Sequence, residues 1–406
     1  MRGLPVADRY PAPDLARGAA LLLIAVANAH TFVTGRGIGV RGYPRDLQGA
    51  DAVVAAVQLV LVDGRGYPLF ALLFGFGIAT LAARRATTGA VTGGPGPAAR
   101  TTAGTAGTPP DDPVLATVRR RGAALLAVGA AHAVLLWHGD IVAAYGLLAV
   151  LLAGLLVRGS TTALVTTAAG TIALTVLLYA PVALTDSAQT ASPSLVEPGV
   201  LAAASDRFGE WLFGNLLLSA VGSAGAAALG VLLARSGRLA APGRHRRFLT
   251  RLAVAGIAAG VLGGLPLALV AAGVWAPPAG IALLLGPLHA LTGYAAGAGY
   301  AAVAGLVADR WARRGGPGPV GRALVATGQR SLSAYLAQSV AFVGLFAAWT
   351  LGLGAGLPVW AATLCGAGVW LVTVLVADRS ARAGRRGPAE TLLRLLTYGR
   401  RPAPQR

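Results

Sequence analysis

The sequence has no lysine, few acidic residues and little charge of either sign. All 34 basic residues are arginine, 15 residues are acidic, and only 12% of the 406 residues are charged. A soluble domain usually carries about 25% charged residues, so this composition argues against two or three soluble domains. The single cysteine, Cys365, excludes a disulfide within the chain.

Long apolar runs take the place of the missing charge, and 55% of the residues are hydrophobic. Since a helix needs about 20 apolar residues to cross a bilayer, the sequence predicts an all-α polytopic membrane protein with about ten transmembrane helices. The stretch 52–62 is too short to cross and is predicted as an interfacial or re-entrant helix. The predicted spans are Leu15–Val33, Tyr67–Ala83, Gly122–Trp137, Ile141–Val157, Thr161–Leu184, Trp211–Ala234, Arg251–Val274, Ile281–Val307, Ser331–Thr350 and Pro358–Ala377.

The arginines are concentrated in alternate connections between these spans. Segments 84–121 and 235–251 hold six arginines each, 308–330 holds five and 378–406 holds eight, whereas 185–210 holds four acids and one arginine. The positive-inside rule then predicts cytoplasmic N- and C-termini. The net charge of +19 therefore indicates a multi-pass protein of the bacterial plasma membrane whose partner is the lipid bilayer. No nucleic-acid partner is expected, and a homo-oligomer is left open.

The chain divides into four predicted regions. Residues 1–83 form an N-terminal transmembrane part, and 122–377 form the main transmembrane bundle. Between them, the Thr/Gly/Pro/Ala-rich segment 84–121 lacks apolar area and is predicted as a disordered cytoplasmic loop. The basic tail 378–406 contains the pattern of an amphipathic helix over 389–398, which is predicted to lie on the inner membrane face.

Four of the five histidines lie inside predicted spans or at one end of them. Ionisable groups at membrane depth usually pair with one another or line a functional cavity. His138 and Asp140 lie in a short outer turn, where a carboxylate beside an imidazole is typical of an oriented general base. His132 lies about 15 Å and His289 about 12 Å into their helices. The candidate catalytic residues are His138, Asp140, His289 and His132; the alternative is a polar hairpin and histidines satisfied by neighbouring helices.

Asp14 and Arg17 stand three residues apart at the cytoplasmic entry to the first helix, in "PDLARG". Arg17 is a candidate for binding the phosphates of a coenzyme, because a guanidinium presents a fork of donors. The alternative interpretation makes Asp14 an N-cap and Arg17 a cytoplasmic anchor.

Other polar residues are candidates for binding a substrate or cofactor. Structural alternatives exist for each: an interfacial position for Asn28 and His30, mutual pairing for Asp63 and Arg65, and interhelical contacts for Tyr335 and Gln338. No metal is predicted, because His132 and His138 are six residues apart and do not share a helix face. These further candidates are Asn28, His30, Asp63, Arg65, Tyr335 and Gln338.

Several strings, in this order, resemble one known family. "PDLARGAALLLIAVAN", "HGDIVAAYG", "GQRSLSAYLAQS" and "GPAETLLRLLTYG" are similar to the YeiB-like bacterial membrane family, a domain of unknown function (number 418). The resemblance covers the chain nearly end to end. More distantly, Asp14, Arg17, Gly18 and the apolar run up to Asn28 resemble the first helix of the heparan-glucosaminide acetyltransferase group. That resemblance implies a donor-side role for Arg17 and a structural or catalytic role for Asn28.

These observations favour a transmembrane acyltransferase. A cytoplasmic acyl-CoA would donate an acyl group to a small-molecule, glycan or lipid acceptor of the cell envelope. His138 oriented by Asp140 is the first candidate for the base, with His289 or His132 as alternatives, and an acyl-histidine intermediate is compatible with this chemistry. A transporter or exporter, in which the histidines relay protons, is the second hypothesis. A non-catalytic membrane scaffold or sensor is the third.

Overall fold

The computed structural model describes residues 11–92, 112–186 and 192–399, and the side chains of 85–92 are left aside. The described residues are almost entirely helical, with two isolated β-bridges, Thr34–Ala355 and Ile38–Pro44. The helices are α1 Pro11–Ala29, α2 Gly49–Leu61, α3 Gly66–Thr92, α4 Pro113–Leu135, α5 Val142–Leu151, α6 Ala153–Arg158, α7 Thr161–Leu178, α8 Pro193–Val196, α9 Val200–Gly209, α10 Leu216–Arg235, α11 Arg246–Ala271, α12 Ala279–Arg313, α13 Pro319–Gly328, α14 Ser331–Phe346, α15 Val359–Arg382 and α16 Pro388–Tyr398.

Seven helical stretches of the described chain are long and apolar enough to cross a membrane. This confirms an all-α, multi-pass membrane architecture, whereas ten spans and the orientation of the termini stay predictions. α5 and α14 are apolar but shorter than 18 residues. The seven stretches are Pro11–Phe32, Gly49–Arg84, Thr161–Leu184, Val200–Arg235, Pro242–Ala271, Ala279–Arg313 and Val359–Arg382.

The predicted loop 84–121 differs from the structure at both ends. α3 continues to Thr92 and α4 begins at Pro113, where the side chain of Asp112 accepts a hydrogen bond from the backbone of Val114. That cap starts α4 early, because a carboxylate satisfies an N–H group that the helix leaves unpaired. The middle of the predicted loop, 93–111, lies outside the described residues.

The apolar stretch 52–62 forms α2, and a buried turn joins it to α3. Small residues make room for this turn. A Cβ on Gly293 of α12 would lie 2.4 Å from the carbonyl oxygen of Gly64, and a Cβ on Gly264 of α11 would lie 2.8 Å from that of Leu59. The glycines therefore let the polar turn pack between two transmembrane helices. Whether α2 is interfacial or re-entrant stays a prediction.

Helix formation also begins earlier than predicted before α10. The expected span started at Trp211, but the chain is helical from Val200, and a π-helical turn over Glu210–Asn215 joins α9 to α10. A π-turn widens the helix by one residue and is often found at functional sites.

The amphipathic pattern at 389–398 forms α16, which packs against α4 and α14. Glu390 accepts hydrogen bonds of 2.9 and 3.2 Å from the backbone N–H groups of Leu332 and Ser333, so it caps α14. Leu393 is buried, whereas Leu392, Leu395 and Leu396 are exposed. Contact of this exposed face with the membrane stays a prediction.

Candidate functional site

Two imidazole–carboxylate pairs flank the turn between α4 and α5. In the first, Nδ1 of His132 lies 2.8 Å from Oδ2 of Asp140, and both side chains are buried. The other carboxylate oxygen of Asp140 accepts a 2.6 Å hydrogen bond from the backbone N–H of Ala143, at the start of α5. A carboxylate facing Nδ1 favours the tautomer with its proton there, which leaves the Nε2 lone pair available. Among the described residues, Nδ1 and Nε2 of His132 and Oδ2 of Asp140 all lack a partner with hydrogen-bond geometry, so the contact between His132 and Asp140 is a close approach and not an aligned hydrogen bond.

The predicted pairing of Asp140 with His138 is wrong. Asp140 caps α5 and faces back across the turn toward the last turn of α4, where His132 lies. His138 points to a different carboxylate, with its Nδ1 atom 2.8 Å from Oε2 of Glu210. Neighbours in sequence therefore belong to different pairs, because the turn reverses the chain direction between them.

The carboxylate of Glu210 is held in place by two serines. It accepts hydrogen bonds from the hydroxyls of Ser192 (3.0 Å) and Ser194 (2.7 Å) and from the backbone N–H of Ser194 (3.1 Å). Sequence reasoning missed Glu210 as a site residue. Its signal was an acidic residue directly before the apolar run that starts at Trp211.

The π-helical turn holds the α4–α5 turn through a second residue as well. The amide nitrogen of Asn215 donates to the backbone carbonyls of His138 (3.1 Å) and Asp140 (2.8 Å). Because Glu210 and Asn215 begin and end the same π-turn, this local widening fixes both the position of the backbone and that of one imidazole.

A second polar cluster surrounds the turn between α2 and α3. Asp63 accepts hydrogen bonds from Nε (2.8 Å) and Nη2 (3.3 Å) of Arg41, and Nε2 of His289 lies 3.5 Å from its Oδ2. Arg65 is fully buried and donates to the backbone carbonyls of Asp63 (2.5 Å) and Gly260 (2.7 Å). Its Nη1 atom lies 3.0 Å from each ring nitrogen of His289. Pairing of this kind is what makes charges tolerable at such depth.

The structural alternative, in which Asp63 and Arg65 pair with each other, holds only through the backbone of Asp63, and their role in binding a ligand stays a prediction. Arg65 binds the backbone carbonyl of Asp63, and the carboxylate is held by Arg41, which sequence reasoning missed. Arg41 adopts a left-handed backbone conformation, with φ of 59°. Burial lowers the pKa of Arg41, but the Asp63 carboxylate more than offsets this and holds the pKa above its ordinary range. Local spacing gave no signal, because the two residues are 22 positions apart.

Of the remaining candidates, His30 lies close enough to Asp63 and Arg41 to interact with their charges, whereas Asn28 and Gln338 make other contacts. His30 is buried, and its ring stacks on that of Tyr43 with 3.8 Å between centroids. Asn28 is half-buried near the end of α1. Gln338 is buried and donates to the carbonyl of Leu21, 3.5 Å away, which fits the interhelical role. The polar candidates thus do not converge on one point.

A cavity of about 470 Å³ connects several candidate residues. Its lining includes three arginines, Arg17, half-buried, and Arg84 and Arg121, both exposed, together with the carboxylates of Asp14 and Glu390. Its other lining residues include Phe70, Phe74, Tyr145, Ile141 and Tyr335. Ile141 directly follows Asp140, and the ring of Tyr335 lies 5.2 Å from that of His132. The cavity wall therefore combines arginines and apolar side chains with Ile141 and Tyr335, which adjoin the buried imidazole–carboxylate pair.

Arg17 is held within this cavity by two contacts. Its Nη1 donates to Asp14 (3.1 Å), and its Nη2 donates to the backbone carbonyl of Leu73 (3.0 Å). α1 begins at Pro11, so Asp14 lies inside the first turn and is not the N-cap that the structural alternative assumed. Asp14 and Arg17 instead form one polar unit of the cavity wall.

Residues 233–400 match the family model described as "Protein of unknown function (DUF418)". The chain carries a DUF418 domain. This confirms the predicted family for residues 233–400, whereas a resemblance over the rest of the chain and the similarity to the acetyltransferase group stay predictions. No curated protein and no solved structure matches the chain.

The DUF418 match includes only part of the site. His289, Tyr335 and Gln338 lie within the matched segment, but both imidazole–carboxylate pairs come from residues before it. Tyr335 joins the two parts, because its hydroxyl donates to the backbone carbonyl of Gly139 at 3.3 Å. The candidate site is thus built from the DUF418 domain together with the helices that precede it.

Proposed function

We propose that this protein is a membrane-embedded acyltransferase of the bacterial plasma membrane. It takes an acyl group from a cytoplasmic acyl-CoA and passes it to an acceptor of the cell envelope. One observation carries the proposal: a single cavity is lined both by three arginines and by Tyr335, whose ring lies 5.2 Å from that of His132 in the buried His132–Asp140 pair.

The cavity suits a ligand with an anionic head and an apolar tail. Arg17, Arg84 and Arg121 supply positive charge at one part of its wall, and guanidinium groups bind phosphates through paired donors. Phe70, Phe74 and Tyr145 supply an apolar surface beyond them. A coenzyme A thioester has this same division between phosphates and acyl chain, so its thioester would lie toward Tyr335.

His132 is the residue we assign to the donor. The acceptor approaches from the opposite membrane face, so a group between the two faces must carry the acyl chain. Nε2 of His132 attacks the thioester carbonyl, the C–S bond breaks, and the coenzyme leaves as a thiolate that takes a proton from solvent at the arginine-lined end. The resulting acyl-imidazolium keeps its proton on Nδ1, where the Asp140 carboxylate stabilises the positive charge. The Tyr335 ring must move aside for this step, because Tyr335 lines the cavity and His132 does not.

Binding of acyl-CoA to the purified protein tests the donor site. We expect a saturable rise in melting temperature with acyl-CoA for the wild type, and its loss in Arg17→Ala. Arg251→Ala is the matched control, because Arg251 is an exposed arginine of α11 outside the cavity lining. No rise for the wild type with short or long acyl chains would contradict the proposal.

A transporter is the second candidate, and the Arg41–Asp63–His289–Arg65 cluster favours it. Buried ionisable groups at membrane depth also occur in proton relays and ion pathways. Transport predicts flux of a solute into proteoliposomes without consumption of a thioester. Release of free coenzyme A without solute flux would favour the acyltransferase.

A further inference from the structure

The second imidazole–carboxylate pair differs from the first in its access to solvent. The side chains of His138 and Glu210 are 22% and 18% exposed, whereas those of His132 and Asp140 are 1% and 0% exposed. The cavity lining includes none of these four residues. One pair is therefore enclosed by protein, next to the cavity residue Tyr335, and the other is partly exposed at the protein surface.

The contacts of Glu210 determine which nitrogen of His138 is available. Its carboxylate only accepts hydrogen bonds, so the Nδ1 atom that it faces at 2.8 Å carries the proton. Ser194 donates to the same Oε2 atom of Glu210 that faces His138, and the hydroxyl of Ser192, which also binds this carboxylate, lies 3.5 Å from Nδ1 of His138. Nε2 of His138 then keeps its lone pair and is an acceptor for a proton, as in a histidine oriented by a carboxylate for general-base catalysis.

The turn between the two pairs is held rigidly. Asn215 binds the carbonyls of both His138 and Asp140. A Cβ on Gly139 would lie 2.3 Å from the ring of Trp137, so the turn requires glycine here. The backbone that carries His138 and Asp140 is thus fixed, and each of these residues belongs to one of the two pairs, as a reaction divided between the pairs requires.

We propose that the His138–Glu210 pair is the acceptor site, which takes a hydroxyl- or amine-bearing compound from the face opposite the arginines. The inference rests on the proposed function. Nε2 of His138 removes the proton from the acceptor O–H or N–H group, and the acceptor atom bonds to the carbonyl carbon on His132. The C–N bond to His132 breaks, its imidazole returns to the neutral form, and His138 releases the proton to solvent. Glu210 is a positioning residue that stabilises the imidazolium.

Deacylation by water tests this assignment, since water is the simplest hydroxyl acceptor. Detergent-purified protein is mixed with an acyl-CoA that carries a radiolabelled acyl group. The coenzyme released in the first turnover is measured. The decay of the protein-bound label is then followed over a range of pH. Glycerol serves as a second hydroxyl probe. For the wild type we expect one equivalent of coenzyme to be released at once, followed by decay of the label that accelerates with glycerol.

His138→Ala should keep the first release and slow the decay about 100-fold, within the usual range for loss of a general base. Added imidazole should restore the rate, which a structural role would not produce. Glu210→Gln should slow the decay less and shift its pH profile. Glu197→Gln is the matched control, because Glu197 lies nearby and accepts a hydrogen bond from Gly199.

The outcomes separate the two proposals. Two results would overturn the acceptor site and leave the donor chemistry standing. The first is decay of the label at the wild-type rate in His138→Ala. The second is slow decay in that variant that added imidazole does not accelerate. If the wild type binds acyl-CoA but releases no coenzyme and takes up no label, the acyl-histidine step fails, and the acceptor site fails with it.

Discussion

Both polar clusters place a histidine beside a carboxylate, but only the second adds arginines, and the two buried histidines differ in the contacts of their ring nitrogens. His289 has an arginine nitrogen 3.0 Å from each ring nitrogen and a carboxylate oxygen at 3.5 Å. His132 has a carboxylate at Nδ1 and no partner at Nε2 among the described residues. The two side chains are buried to a similar extent, since His289 is 0% exposed and His132 is 4% exposed. A buried histidine is thus a candidate for chemistry only when one nitrogen is oriented and the other remains available.

The largest expected effect is a loss of acyl transfer that distinguishes His132 from His289. His132→Asn places an amide where Nδ1 was, so it keeps a donor for Asp140 but removes Nε2. We expect acyl transfer to fall by a factor of at least about 1000, as for loss of an essential nucleophile or base. His289→Asn is the matched variant and should keep its rate per folded molecule. Equal losses in both variants would contradict the contrast.

The next effect is a loss of folding stability when the cluster around Asp63 is broken. Asp63→Asn removes the carboxylate that holds Arg41 and leaves its partly buried guanidinium without a counter-charge among the described residues, in contact with Tyr179. We expect a loss of about 3–5 kcal/mol in the free energy of unfolding, since breaking a buried pair exposes the cost of the remaining charge. Denaturant titration in detergent measures it. Asp46→Asn, at an exposed ion pair with Arg36, should cost less than about 1 kcal/mol.

The two turns can be compared through one glycine each. Gly139→Ala forces a Cβ toward the Trp137 ring, 2.3 Å away, and should cost about 1–3 kcal/mol through overpacking. Gly64→Ala combines a positive φ of 72° with a Cβ 3.0 Å from His289 and should cost a similar amount. The difference is expected in catalysis: only Gly139→Ala should also slow acyl transfer, measured as coenzyme release. A normal rate in that variant would contradict a rigid turn.

The smallest effect concerns the tyrosine that joins the DUF418 domain to the turn. Tyr335→Phe removes a 3.3 Å hydrogen bond to the carbonyl of Gly139 but keeps the ring beside His132. We expect a loss of about 1 kcal/mol or less in unfolding free energy. Tyr43→Phe, which loses a buried 2.9 Å bond to Gln58, should cost somewhat more. A larger loss for Tyr335→Phe would indicate that its hydroxyl has a further role.

The sequence identified many residues of the candidate site but did not predict which of them pair with each other. The sequence singled out His132, His138, Asp140 and His289 because ionisable groups are rare and costly in apolar segments. It assigned Asp140 to His138 because the two are neighbours, but the turn places Asp140 opposite His132. Glu210 and Arg41 were missed because they lie 72 and 22 residues from the side chains that they contact.

The sequence by itself determined the membrane class, the helical composition and the approximate positions of most helices. These follow from local rules: a backbone in lipid must satisfy its own hydrogen bonds, and an apolar run of sufficient length does so as a helix. Only the tertiary structure decided which imidazole faces which carboxylate, where the cavity ends and how the π-turn at Glu210 meets the α4–α5 turn. Those depend on helix rotation and packing against distant neighbours, which hydropathy does not record because it averages over all faces of a helix.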